Sequence, residues 1–148
     1  MIFGANEPVY EYIANSELQY WGNLEVYGNL GRGNVLKFMG ESLIYIGNSI
    51  SDGMPNTLLE ALIMEVFPIQ SNPGDATAEI IHHNLNGFLI QNPESISELE
   101  SLIKKAIQNP EMLRNGIAYN KKNVKHKLQR EYIREEVLEK YDYIQKNL

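Results

Sequence analysis

Apolar and polar positions along this chain switch between two periods. Short apolar runs at residues 42–47, 66–70 and 88–90 are nearly continuous, as in strands covered on both faces. Residues 23–28, Asn-Leu-Glu-Val-Tyr-Gly, alternate instead, the mark of a half-buried strand stopping at glycine. Residues 1–4 read as the tail of another strand ending at Gly4. Helices are expected between these runs, over 7–17, 34–40, about 57–65, and from the 72–75 turn through about His83. Ile96, Leu99, Leu102, Ile103, Ala106 and Ile107 fall at helical spacing behind a capping box, Ser95 and Glu98. That helix should stop at Asn109-Pro110. A last stripe, Val124, Leu128, Ile133, Val137, Tyr141 and Ile144, closes the chain as a helix.

Strands alternating with helices predict parallel βαβ units, and hence an α/β, Rossmann-like, doubly wound sheet. Residues 1–110 would form this domain, and 111–148 would be C-terminal helices packed on it. Ligands of such sheets bind outside the carboxyl ends of the strands, so the loops to inspect are 28–32, 47–55 and 71–75. The Tyr and Trp residues between Tyr10 and Tyr27 read as core and edge packing.

Composition narrows the class. The 148 residues are 43% hydrophobic and 22% charged, ordinary for one soluble domain. There is no cysteine, which removes disulfides and thiolate metal sites and fits a reducing cytoplasm. The first seven residues lack the basic and apolar regions of a signal peptide. The densest apolar segment, 58–69, is interrupted by Glu60, Glu65 and Pro68, so no membrane span is expected. Residues 1–100 carry thirteen acidic side chains against only Arg32 and Lys37, which argues against a nucleic-acid partner. The basic cluster Lys121, Lys122, Lys125, Lys127 and Arg130 reads as a solvated helix face. Its alternative is contact with an anionic membrane surface or partner. His82 and His83 read as solvent-facing helix residues, because no carboxylate or histidine cluster stands at ligand spacing; no metal is expected.

The informative stretch is 49–61. A polar loop containing Asp52 and Gly53 follows a buried strand and precedes a helix whose free N–H groups would face the crevice, a ready anion site. Pro55 helps fix the helix entry. Glu60 stands eight positions after Asp52. Two readings of it are open: a carboxylate for a ligand's vicinal hydroxyls, or the second half of a capping box with Thr57. Asp52-Gly53 is also an ordinary turn pair.

Taken together, Leu36–Ser42, Ser49–Ala61, Phe67-Pro68-Ile69, Glu79-Ile80-Ile81 and Asn86–Ile90 resemble the second domain of the retaining glycosyltransferases of group 1, family 4, with the two-domain GT-B architecture. The resemblance implies metal-independent transfer of a sugar, with retention, from a UDP-sugar or GDP-sugar to a glycan or lipid-linked acceptor. It implies no cofactor. Polysaccharide or glycoconjugate synthesis is the family's commonest setting, in the cytoplasm or at the inner face of the membrane. The family's paired acids fall on Asp52 and Glu60, the catalytic pair. By resemblance Glu60 would hold the donor ribose and Asp52 the transferred sugar. Ser49, Gly53, Met54, Asn56, Thr57 and Leu58 would line the sugar and distal phosphate, and Gly28, Asn29 and Leu30 the base.

Two departures qualify that resemblance. Asp52 stands where the family usually has the longer Glu. The family's first βα unit, with the Arg and Lys that clamp the donor phosphates, has no counterpart, since residues 1–4 match the next strand. An N-terminally truncated domain follows as an expectation, needing a separate acceptor domain and filling its sheet gap by closing up or by homodimerisation. A non-catalytic interaction subunit that works only with a second polypeptide is the alternative reading.

Overall fold

The computed structural model describes residues 1–147. They form two compact units, Met1–Phe38 and Met39–Leu148.

In the first unit, α1 (Glu7–Ala14) opens with proline in its first turn, where the missing N–H costs nothing. A 3₁₀ turn, Glu17–Tyr20, follows, capped by the Ser16 hydroxyl. The two strands expected at 1–4 and 23–28 reduce to a single parallel bridge between Ile2 and Val26. Ile2 N–H donates to Glu25 O at 2.8 Å, and Tyr27 N–H donates to Ile2 O at 2.8 Å. Phe3, Tyr27 and Phe38 stack with ring centroids 5.3–6.0 Å apart. Tyr12, Tyr20 and Trp21 do not pack as expected; they are exposed. α2 (Arg32–Gly40) runs across the division between the units.

The second unit holds the predicted sheet. β1 (Ile44–Gly47), β2 (Phe67–Ser71) and β3 (Phe88–Ile90) are all parallel and lie in that order, with Ile46 opposite Ile69 and Ile69 opposite Phe88. Side-chain alternation along the strands sorts the core into two faces. Ile44, Phe67, Ile69, Phe88 and Ile90 point to one side, against Leu102 and Ala106 of α4 (Ile96–Gln108) and Leu113 of α5 (Pro110–Asn123). Tyr45 and Leu89 point to the other, against Leu58 and Leu62 of α3 (Asn56–Ile63). Helices on both faces make this the α/β architecture expected of the apolar runs.

β2 is buried at all five positions although it contains Pro68. Phe67 N–H donates toward β1, to Leu43 O, so the donor that Pro68 lacks would face β3, where pairing begins only at Ile69. Close packing explains two glycines. A Cβ at Gly116 would stand 2.8 Å from the Phe67 ring, and one at Gly87 would stand 2.8 Å from Pro68.

Ser95 caps α4, its hydroxyl accepting from Glu98 N–H at 3.2 Å. The Glu98 carboxylate turns instead to the loop, taking Gln91 N–H at 2.7 Å and Asn92 N–H at 2.9 Å, which holds its pKa below the ordinary value.

The C-terminal and 72–83 segments differ from expectation. Helix does not run from the 72–75 turn to His83; two 3₁₀ turns, Pro73–Asp75 and Thr77–Glu79, stand there. Gly74 and Asp75 both take positive φ, 71° and 61°, which ends any helix at once. His82 and His83 are exposed but not helical, and His83 Nδ1 accepts from Leu89 N–H at 3.0 Å. The closing stripe is divided among the end of α5, a 3₁₀ turn (Lys125–Leu128) and α6 (Arg130–Lys146). Two lysines of the basic cluster hold Glu65, Lys125 at 2.7 Å and Lys121 at 3.0 Å, and depress its pKa. Among the described residues no helix is long and apolar enough to cross a membrane.

Candidate functional site

The loop from Gly47 to Pro55 leaves the carboxyl end of β1 and enters α3 directly. Pro55 occupies the position before the helix with extended backbone, and no side chain caps it. The first helical bonds run from Leu58 N–H (3.1 Å) and Leu59 N–H (3.3 Å) to Pro55 O, so the N–H groups of Asn56 and Thr57 lead the helix. Thr57 therefore lies inside α3 and is not its N-cap. The capping-box reading of Glu60 falls with that, and the Thr57 hydroxyl meets Tyr45 Oη at 2.9 Å.

Seven of the predicted loop and helix residues are brought together here in an ordered way. Asp52 and Gly53 are exposed at the loop's bend, and a Cβ at Gly53 would meet nothing within 4 Å. Protein packing places no demand for glycine there; the space above it is open. Met54 packs with Leu58 and Leu62, and Asn56 is exposed at the helix start. Half-buried Glu60 follows one turn later. Ser49 is pinned through its backbone, its N–H donating to Ser71 Oγ at 2.9 Å and its carbonyl accepting from the same hydroxyl at 2.8 Å. Asn48 Nδ2 donates to Pro93 O at 2.7 Å.

Leu58 is the eighth of these, and it sits differently. Its side chain is fully buried and its N–H already bonds Pro55 O, so it serves the core. Gly28, Asn29 and Leu30 lie in the first unit, just beyond the Ile2–Val26 bridge; Gly4 N–H donates to Gly28 O at 3.2 Å.

Tyr45, Gln70 and Ser71 are the residues that sequence reasoning missed. Tyr45 Oη donates to Gln70 Oε1 at 3.2 Å, and Gln70 Nε2 donates to Ser71 Oγ at 3.3 Å. Gln70 is wholly buried. The signal was a glutamine inside an apolar run with a glycine, Gly47, opposite it in register. The Tyr45 phenol is pushed above its usual pKa, chiefly by burial, with the Thr57 contact opposing and the charges of Asp52 and Glu60 adding to it. Both carboxylates thus act on one phenol at the carboxyl end of the sheet.

A parallel sheet with helices on both faces, and a polar loop leading into an uncapped helix at its carboxyl edge, are the features of the open α/β class, in which ligands bind outside the carboxyl ends of the strands. The family profile described as "Glycosyl transferases group 1" matches residues 1–123, and the chain belongs to that family. It is similar in structure to a glycosyltransferase from Rickettsia africae ESF-5, with a TM-score of 0.78 and 25% sequence identity over 95% of this chain. The match covers 36% of the Rickettsia chain, so this chain spans about a third of that protein's length.

Proposed function

We propose that the loop from β1 to α3 binds a nucleoside diphosphate sugar, a UDP-sugar or GDP-sugar, as the donor side of a retaining glycosyltransferase of the hexosyltransferase type. In this reading Glu60 holds the ribose hydroxyls and Asp52 the hydroxyls of the transferred sugar. The leading N–H groups of α3 meet the distal phosphate. One observation supports this above the others: α3 starts without a side-chain cap, which removes the capping-box reading of Glu60 and leaves the Asn56 and Thr57 N–H groups leading the helix at the carboxyl edge of the sheet.

The chemistry sets the strength. A helix start contributes only about 0.3–1 kcal/mol toward an exposed anion, and Asp52 brings negative charge to the same loop. Donor binding is therefore weak. Acceptor binding, to a glycan or lipid-linked glycan, belongs to a second domain in the two-domain architecture that the family resemblance implies. A cytoplasmic setting at an anionic membrane face would draw on the exposed Lys122, Lys127 and Arg130, at about 1 kcal/mol per cation near such a surface.

Calorimetric titration with UDP, GDP and ADP tests the reading. Saturable binding of one nucleotide, lost in Glu60→Ala, supports it. A folded chain that binds none of the three overturns donor binding by this chain and favours a subunit that works only with a partner polypeptide.

A further inference from the structure

Thr57, Tyr45, Gln70, Ser71 and Ser49 form one continuous chain of hydrogen bonds, and the proton count of each group fixes its direction. The Tyr45 hydroxyl has one proton, which goes to Gln70 Oε1. The 2.9 Å contact between Tyr45 and Thr57 must then use the Thr57 proton, with the phenol oxygen accepting. The Gln70 amide passes the direction on, because its Nε2 donates to Ser71 Oγ. Ser71 spends its own proton on Ser49 O while also accepting from Ser49 N–H. From the Thr57 hydroxyl to the Ser49 carbonyl the links point the same way, so each polarises the next, and Ser49 N–H closes the end by donating back to Ser71 Oγ.

The two ends of this chain are the two ends of one loop. Ser49 is where the loop leaves β1 and Thr57 is the first turn of α3, with Asp52, Gly53 and Met54 between them. The middle is anchored in the sheet: Gln70 is wholly buried, and Gly47 lies opposite it in register. A Cβ at Gly47 would collide with Gln70 Oε1 and would stand 2.6 Å from Tyr45 Oη. Glycine at 47 is thus the space that lets the amide and the phenol meet. The Tyr45 phenol is held above its usual pKa, first by burial and also by Asp52 and Glu60, so it stays protonated and continues to donate.

We propose that Tyr45 and Gln70 are positioning residues of the donor site: their hydrogen bonds clamp both ends of the 49–57 loop and set the leading N–H groups of α3, without either side chain touching the donor's base. The proposal rests on the donor-site reading above, and deepens it. It predicts a selective loss, because the clamp governs the segment facing phosphate and sugar.

The test compares the intact chain with Tyr45→Phe, Gln70→Met and the double variant. Each is titrated with the nucleoside diphosphate that the unaltered chain binds best, and with the matching nucleoside. Loss of a neutral hydrogen bond corresponds to about three- to ten-fold in affinity. Tyr45→Phe should lose that much for the diphosphate and nothing for the nucleoside. The double variant should fall no further than the worse single variant, since both cut the same chain. Tyr45→Phe removes one hydroxyl and keeps the ring, so it carries the test even if Gln70→Met does not fold. Diphosphate affinity within two-fold of the unaltered chain, or equal losses for diphosphate and nucleoside, would overturn the proposal. If the unaltered chain binds neither, the donor reading itself fails. The clamp is then decided by amide exchange: faster exchange at 49–59 in Tyr45→Phe, with Leu89 and Ile90 unchanged, sustains it, and unchanged exchange at 49–59 refutes it.

Discussion

Every fully buried side chain among the described residues lies in the second unit, including Leu58, Leu62, Phe67, Ile69, Phe88 and Leu113, whereas residues 1–38 contain none. The two units do not differ in apolar content so much as in what their strands can do with it. In the second, three parallel strands in register offer two faces, and side chains of opposite parity go to α3 or to α4 and α5. In the first, pairing stops at one bridge, and the apolar residues gather as a half-buried stack of Phe3, Tyr27 and Phe38. Such ring pairs contribute about 0.5–1.5 kcal/mol each beyond their burial. An apolar side chain stabilises in proportion to the surface it loses to water, and that depends on having a second layer to meet.

The sharpest way to break this comparison is to truncate one aromatic residue in each unit. Phe67→Ala would empty the space between Phe88, with its ring edge-on at 5.3 Å, and Gly116. It should destabilise by about 3–5 kcal/mol in urea denaturation. Trp21→Ala, at a residue 57% exposed, should change stability by less than about 0.5 kcal/mol. Similar losses in both would show that the first unit has a core of its own.

A smaller effect is expected from the polar part of the interior. Asn120 Nδ2 donates to Asn86 O at 2.8 Å and its Oδ1 accepts from Asn86 Nδ2 at 2.7 Å, both residues being buried. Asn120→Ala leaves the Asn86 groups short of a partner and should cost about 2 kcal/mol. A smaller effect than that, of the opposite sign, is expected at Thr77. Thr77 is wholly buried and its hydroxyl has no hydrogen-bond partner. Thr77→Val should raise stability by about 1 kcal/mol in the same assay.

The same contrast decides what could be read from sequence. The three apolar runs gave β1, β2 and β3 because a strand buried on both faces needs no other signal. The capping serine of α4 was equally plain. Residues 72–83 misled because their local hydrogen bonds compete with a helix: Asn72 Oδ1 takes Ala78 N–H at 3.0 Å, and Asn72 Nδ2 donates to Asp75 Oδ1 at 3.0 Å. α5 gave little periodic signal because three of its inward positions are Leu113, Gly116 and Asn120, only one of them apolar and large. The 49–60 segment was legible as a loop entering a helix with two acids. Its support was not, because Tyr45 and Gln70 are 25 residues apart and the glutamine in its apolar run meets Gly47 only once the two strands are in register.

The central claim is that the carboxyl edge of β1 and the start of α3 form a nucleotide-sugar site. Amide chemical-shift mapping with the diphosphate and the free nucleoside addresses it most directly. The account predicts that the diphosphate moves the amides of Gly53, Met54, Asn56 and Thr57 most. The largest shifts would contradict it if they fell instead in the cleft of about 300 Å³ lined by His82, Tyr119, His126 and Lys127, or if the 53–57 amides stayed still at saturation.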